Sequence, residues 1–251
     1  MENNTISSID RTLSIIELIS NSKGISLSEI SKGIQVPKST THKILETLKK
    51  HKFIELNKET EKYVLGVKAI EIGLRGLKNI DIVEISINYL KKLSAFTGET
   101  SFLGTYNEGQ IVYLYKSEAT NSIQTTAELG SRRPAYCTAL GKSILAYLPI
   151  EYVDSIFKNQ LKAFTDKTIT ERSKLYDELA NIRANKYAID DEEIEIGLTC
   201  FATPIFNYTG NVIGAISFAG PTYRVLENKS KNITELIKMG EHISKRLGYI
   251  N

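Results

Sequence analysis

Three groups of residues in this 251-residue chain carry side chains able to do chemistry, and each implies a different kind. The first is the stretch "VPKSTTHKILETLKKHKFI" from Val36 to Ile54. Five lysines and a single glutamate lie between Lys38 and Lys52. Lysines mixed with small hydroxyl residues at helical spacing make a surface for a polyanion. The second is Thr138 followed by Ala139-Leu140-Gly141. Its hydroxyl is placed to cap a helix whose first free N–H groups, with the helix dipole, suit a carboxylate or other small anion; a capped helix with no ligand is the plainer alternative. The third is the acidic run "DDEEIE", Asp190 to Glu195, with Cys200 shortly after it. Such a run alone reads as a solvated turn. A thiol nucleophile needs a nearby base, and His42, His51 and His242 all lie outside this region, so Cys200 is expected to be a buried, inert cysteine. Two cysteines and three histidines without close pairing leave no metal site. No phosphate loop, nucleophile elbow or dinucleotide fingerprint occurs, so no cofactor is expected.

The elements that must position these groups follow from the local patterns. Ile9, Leu13, Ile16 and Ile19 recur at helical spacing, with Ser8 placed as N-cap. In "SLSEISKGI", Ser26 and Glu29 form a capping box, Leu27 and Ile30 supply an apolar face, and Gly33 suits a helix end. Pro37 then opens the next helix, where its missing N–H costs nothing. Helix, tight turn and second helix make a helix-turn-helix. On a wheel, Thr41, Ile44, Leu45 and Leu48 share the inward face. Ser39, Lys43, Glu46 and Lys50 point away, with Lys38, Thr40, His42, Thr47 and Lys49 on the flanks. Strands at Phe53–Leu56 and Lys62–Leu65 around a polar turn complete a wing. The unit is expected to put Lys38, Ser39, Thr40, His42, Lys43, Thr47 and Lys49 against double-stranded DNA, hydroxyls near base edges and lysines on phosphates. Winged helices that bind protein instead are the alternative.

Charge agrees with that placement. Residues 1–75 hold twelve Lys/Arg against nine Asp/Glu, whereas the remainder is balanced, so the net +3 sits in the opening stretch. Val67 to Phe96 has helical patterning interrupted at "GLRGLKN", with Asp81 able to cap the second half. Its apolar stripe needs cover, either from a second subunit, which would present two reading helices to a palindromic site, or from its own C-terminal domain. From Gly98 the pattern changes to strands: "TSFLGTY" and "QIVYLYKSE" around Asn107-Glu108-Gly109, and a third in "SIQTTAEL". Helices follow in "TALGKSILAYL" and "TERSKLYDELANIRANKY". Two long strands join through Tyr208–Asn211, and a last helix spans about Leu226–Leu247. The fold class is α+β in two domains, the second built on an antiparallel sheet. The polar N-terminus has no apolar signal core, and no run is long enough to cross a bilayer. The expected location is cytoplasmic, with no membrane partner.

Taken together, "VPKSTTHKILETLKKHKFI", "RRPAYCTALGKSILAYLP", "YAIDDEEIEIGLTCFATPI" and "GNVIGAISFAGPTYR" resemble the IclR family of bacterial transcription regulators over nearly the whole chain. The resemblance implies a winged helix-turn-helix at 1–75, a linker helix at 76–97 and a GAF-like effector-binding and oligomerisation domain at 98–251. It also implies homodimers or dimers of dimers, and control of operons by a small-molecule effector, often an organic acid. By position it implies an effector site at Ala139, Leu140, Gly141, Asp190 and Cys200, with Thr125 on the preceding strand. Some relatives have Gly and Ala where this chain has Ala139 and Leu140, so the bulkier Leu140 is expected to narrow the pocket or alter which ligand fits. An ionised Asp190 would repel a carboxylate and should instead accept from a ligand hydroxyl or a backbone N–H. The reading is a ligand-responsive transcription regulator, repressor or activator, and not an enzyme. The rival is a small-molecule hydrolase with a fused regulatory head, using Asp190, Glu192 or Cys200.

Overall fold

The computed structural model describes residues 6–78, 81–118, 127–158 and 160–250. They group into two units, residues 1–80 and 81–251. In the first, α1 (Ser7–Ser20), α2 (Leu27–Gly33) and α3 (Lys38–Lys50) are followed by the hairpin β1 (Ile54–Asn57) and β2 (Lys62–Leu65), then α4 (Val67–Lys78). The α2 capping box forms as its spacing requires: Ser26 accepts from the Glu29 N–H while Glu29 accepts from the Ser26 N–H. Pro37 stands one position before α3, as its N-cap, not as its first helical residue.

Ile15, Ile19, Ile30, Leu45, Leu48, Ile54 and Tyr63 make the core of this unit. Two expectations for α1 need correction. Ser8 lies inside the first turn, and Ile6 occupies the cap position without a side-chain bond. The buried face runs through Ile15 and Ile19, whereas Ile9 and Leu13 are 53% and 60% exposed. Periodicity locates an apolar stripe but not which edge of it finds cover. The wing begins at Ile54, one residue later than expected, and pairs Ile54 with Leu65 and Asn57 with Lys62. A bridge from Ile25 to Tyr63 ties the wing to the turn before α2.

The 76–97 span implied as a linker holds the end of α4 and, after the interruption that "GLRGLKN" and Asp81 signalled, a separate helix α5 (Ile82–Thr97). Asp81 caps α5 through the Val83 N–H at 2.8 Å. Leu90 and Leu93 of α5 are buried in the core of the second unit, while Val67, Ile70, Ile72 and Leu74 of α4 are exposed.

The second unit continues with β3 (Thr100–Asn107), β4 (Gln110–Ser117), β5 (Arg132–Pro134), α6 (Ala139–Leu145), α7 (Ile150–Ile156), α8 (Arg172–Asn185), β6 (Ala188–Asp191), β7 (Leu198–Phe206), β8 (Val212–Pro221), α9 (Thr222–Glu227) and α10 (Lys229–Arg246). The six strands form one antiparallel sheet in the order β5-β4-β3-β8-β7-β6. Alternation along each strand divides its side chains between two cores. Phe102, Ile111, Ala202 and Ala215 face α6 and α8, and Leu103, Phe201, Ile216 and Phe218 face α5 and α10. The third strand expected in Ser122–Leu129 falls partly outside the described residues. Ala127 to Ser131 form no strand, and the edge beside β4 is the three-residue β5. The single last helix expected from Leu226 is broken at Asn228 into α9 and α10.

Candidate functional site

Two surfaces gather the residues singled out above, one in each unit. On α3, Thr41, Leu45 and Leu48 are buried and Ile44 half-buried. That leaves Lys38, Ser39, His42, Lys43, Thr47 and Lys49 exposed, with Thr40 half-buried at the boundary. Two of these groups are partly committed. The Thr47 hydroxyl donates to the Lys43 carbonyl at 2.9 Å. Lys49 pairs with Glu46 at 2.7 Å, which also accounts for the one acid on this outward face. Lys38 and Lys43 make no ion pair among the described residues.

In the second unit, a cavity of ≈50 Å³ opens between the sheet and the start of α6. Strand register explains its floor. Phe102, Ser217 and Ala219, Cys200 and Asp190 come from β3, β8, β7 and β6, and paired residues share a face: Phe102 pairs with Ser217, Cys200 with Ala219 and with Asp190. Thr138, Ala139 and Leu140 form the wall on the α6 side. The Thr138 hydroxyl accepts from the Gly141 N–H at 3.1 Å, as its capping position requires.

Of the expected effector residues, Ala139, Leu140, Asp190 and Cys200 therefore meet at one cavity. Gly141 does not line it. Its N–H is taken by the cap, and an added Cβ there would overlap the Ala135 backbone, so the glycine permits close packing beneath the site. Thr125 lies outside the described residues. Leu140 is buried at the cavity edge and packs over Gly104.

The acidic run departs from the solvated turn that sequence alone implied. Asp190 and Glu193 are each 3% exposed. Their cation is Lys142 of α6, only 1% exposed, paired with Glu193 and lying 3.3 Å from Glu178. Glu193 also accepts from the Ile169 N–H, and its carbonyl accepts from the Thr168 hydroxyl. Asp190 accepts from the Glu193 N–H at 2.8 Å. Burial pushes the Asp190 carboxyl up to about 7, with the Glu193 charge adding to it and Lys142 opposing it. Burial likewise raises the Glu193 carboxyl, against Lys142, and holds the Cys200 thiol well above its ordinary value. A thiol so raised is not a thiolate nucleophile at neutral pH. Cys200 lines the cavity as a weak donor.

Among the polar residues of the lining, Tyr113, Arg133 and Ser217 were not found by reading the sequence, and Glu195 was read only as the end of the acidic run. Lys142, behind the cavity, also went unread; a lone lysine inside the apolar run "ALGKSILA" is the signal that marked it. A second groove of ≈240 Å³ lies among Tyr147, Arg183, Phe206, Lys245 and Tyr249. It is roomier but gathers no buried carboxylate.

The comparisons with known proteins cover both units. The model described as "IclR helix-turn-helix domain" matches residues 8–58, and that described as "Bacterial transcriptional regulator IclR C-terminal" matches residues 74–245. The chain is 32% identical over 247 residues to the HTH-type transcriptional regulator KdgR of Escherichia coli (strain K12), covering 98% of this chain and 94% of KdgR. It is 34% identical over 247 residues to XynR of the same organism, covering 97% and 98% respectively. Among solved structures, Thermotoga maritima IclR matches at 32% identity and a TM-score of 0.64, covering 98% of this chain and 100% of that one. The Agobacterium tumefaciens repressor BlcR matches in fold, with a TM-score of 0.87 at 24% identity, over 99% of this chain and 100% of that one.

Proposed function

The chain belongs to the IclR family of bacterial transcriptional regulators, and from that premise we propose how it reads DNA and what switches it. It is a DNA-binding transcription regulator and not an enzyme; its relatives are named as regulators, and the hydrolase alternative falls with that. The proposed reading surface is the outer face of α3. Lys38, Ser39, Thr40, His42 and Lys43 enter the major groove, Thr47 and Lys49 lie toward its rim, and the wing β1–β2 rests on the flanking backbone. One observation supports this most: a three-residue buried face holds the helix, while Lys38 and Lys43 stand exposed with no ion pair among the described residues.

A palindromic operator would engage two copies, each placing its α3 one helical turn from the other. The exposed apolar residues Ile9 and Leu13 of α1 and Ile70 and Leu74 of α4 supply a surface for that second copy. Homodimers, or dimers of dimers, working in the cytoplasm follow from this reading. The effector is a small carboxylic acid that enters the cavity at Ala139, Leu140, Asp190 and Cys200. It acts by preferring one of two arrangements of the reading heads, since a ligand shifts an equilibrium only by its differential affinity.

The test is fluorescence anisotropy with DNA from upstream of the gene. The wild type should bind, Lys43→Glu should bind far more weakly while melting at the wild-type temperature, and a saturating acid should change the wild-type affinity. Equal binding by wild type and Lys43→Glu would remove α3 from the interface.

A further inference from the structure

The cavity wall carries a cation, Arg133, with no counter-ion among the described residues. Arg133 lies on β5 and pairs across the strand with Ile111, which is fully buried on the α6 side of the sheet. Cross-strand partners share a face, so the Arg133 side chain leaves the sheet on the cavity side. There it stands near the Tyr113 hydroxyl, whose ionisation it favours against burial and the surrounding negative groups. Arg133 is half-buried, and among the described residues its side chain makes no ion pair and no hydrogen bond. A guanidinium presents five donors in a fork matched to a carboxylate, and one withdrawn from water without a partner leaves that capacity unused.

The opposite end of the cavity has the opposite character. Strand order places β5 and β6 on the two edges of the sheet, with Asp190 on β6 and Glu195 just beyond it. Asp190 and Glu195 accept, and Ser217 and Cys200 on the floor between offer hydroxyl and thiol groups. A ligand with a carboxylate at both ends would meet acid at one of them. A ligand with a carboxylate at one end and a hydroxyl at the other would be matched throughout. The ≈50 Å³ volume favours a small ligand.

Resting on the cavity being the effector site, we propose that Arg133 holds the effector's carboxylate, and that the effector class is a short hydroxy acid lying with its hydroxyl toward Asp190. Arg133, more than the start of α6, then decides that an acid is bound. Two of the α6 N–H groups are already spent, Gly141 on the Thr138 hydroxyl and Lys142 on the Thr138 carbonyl.

The experiment is isothermal titration of the full-length wild type, Arg133→Met and Arg133→Lys with glycolate, lactate and glycerate. Propionate serves as the deoxy control and lactamide as the neutral one. The wild type should bind at least one hydroxy acid and should reject lactamide. Arg133→Met should lose roughly 10- to 100-fold in affinity, the range for losing charge-assisted hydrogen bonds, and Arg133→Lys should lose less. Unliganded melting temperatures of the variants should stay near the wild type, since the Arg133 side chain makes no ion pair or hydrogen bond among the described residues. Undiminished binding by Arg133→Met would overturn the assignment of Arg133 and leave the cavity reading standing. Propionate binding as tightly as lactate would overturn the hydroxy-acid class. Failure of the wild type to bind any of the acids at millimolar concentration would overturn the proposed class, and with it the short-acid reading of the cavity.

Discussion

Replacing Lys142 by Met should convert a buried ion pair into a buried lone carboxylate. Lys142 and Glu193 are 1% and 3% exposed and paired, so water cannot take over the lost interaction. Breaking such a pair from one side costs about 3–5 kcal/mol. The cost has a ceiling set by protonation, because Glu193 escapes it by taking up a proton. Burial raises the folded-state value of Glu193 above its ordinary 4.5, and the Lys142 charge and hydrogen bond are the main opposing influences. Without Lys142 the folded value rises further. A carboxyl raised in the folded state lowers stability as pH climbs from its unfolded value through its folded one, at about 1.36 kcal/mol per unit. The deficit of Lys142→Met is therefore at most about 0.7 kcal/mol at pH 5 and about 3.4 kcal/mol at pH 7. For a unit of this size the neutral-pH loss amounts to roughly 7–14 °C in melting temperature. Differential scanning calorimetry of wild type, Lys142→Met and Lys142→Met/Glu193→Gln at pH 5, 7 and 8 measures it. The double variant should recover most of the loss at pH 8. A deficit that is equal at pH 5 and pH 8, or no recovery in the double variant, would show that the pair does not hold the 190–195 segment as argued.

Asp190→Asn should be stabilising relative to wild type at neutral pH. Burial lifts the Asp190 carboxyl to about 7, so its contribution is intact below 3.8 and lost as pH rises through about 7. The stability difference between the two proteins should widen over that window by at most about 4 kcal/mol and then level off. Gly141→Ala should destabilise by about 1–3 kcal/mol or more, read as a lower melting temperature, because its Cβ would overlap the rigid Ala135 backbone and not a movable side chain. Ile70→Glu on the exposed face of α4 should shift sedimentation toward the monomer and weaken operator binding together, while leaving the melting temperature nearly unchanged.

What the sequence revealed was what neighbouring residues decide among themselves. The Ser26–Glu29 capping box, the Asp81 and Thr138 caps and the turn at Glu108-Gly109 formed where their local chemistry placed them. So did the inward face of α3, which a 3.6-residue period makes visible. What remained hidden depends on partners distant along the chain. The run at 190–195 is acidic enough to belong in water, and its buried countercharge, Lys142, lies 51 residues before Glu193. Arg133 sits on a strand of three residues, too short for any alternating pattern, and its relation to Asp190 exists only once six strands are ordered across the sheet. On α1, Ile9 and Leu13 look as apolar as Ile15 and Ile19, and nothing within the helix itself decides which of them is covered.

The most direct test of the account is the salt dependence of binding to the upstream DNA for wild type and Lys43→Glu. If α3 meets phosphates through Lys38 and Lys43, with the wing lysines Lys58 and Lys62 behind them, log K should fall steeply with log salt. A slope of roughly −4 or steeper is expected for a two-fold pair of reading heads. Lys43→Glu should flatten that slope by roughly two, about one phosphate contact per copy, along with losing affinity. A flat slope in the wild type, or an unchanged slope in the variant, would mean that the lysine-bearing face of α3 does not touch the duplex.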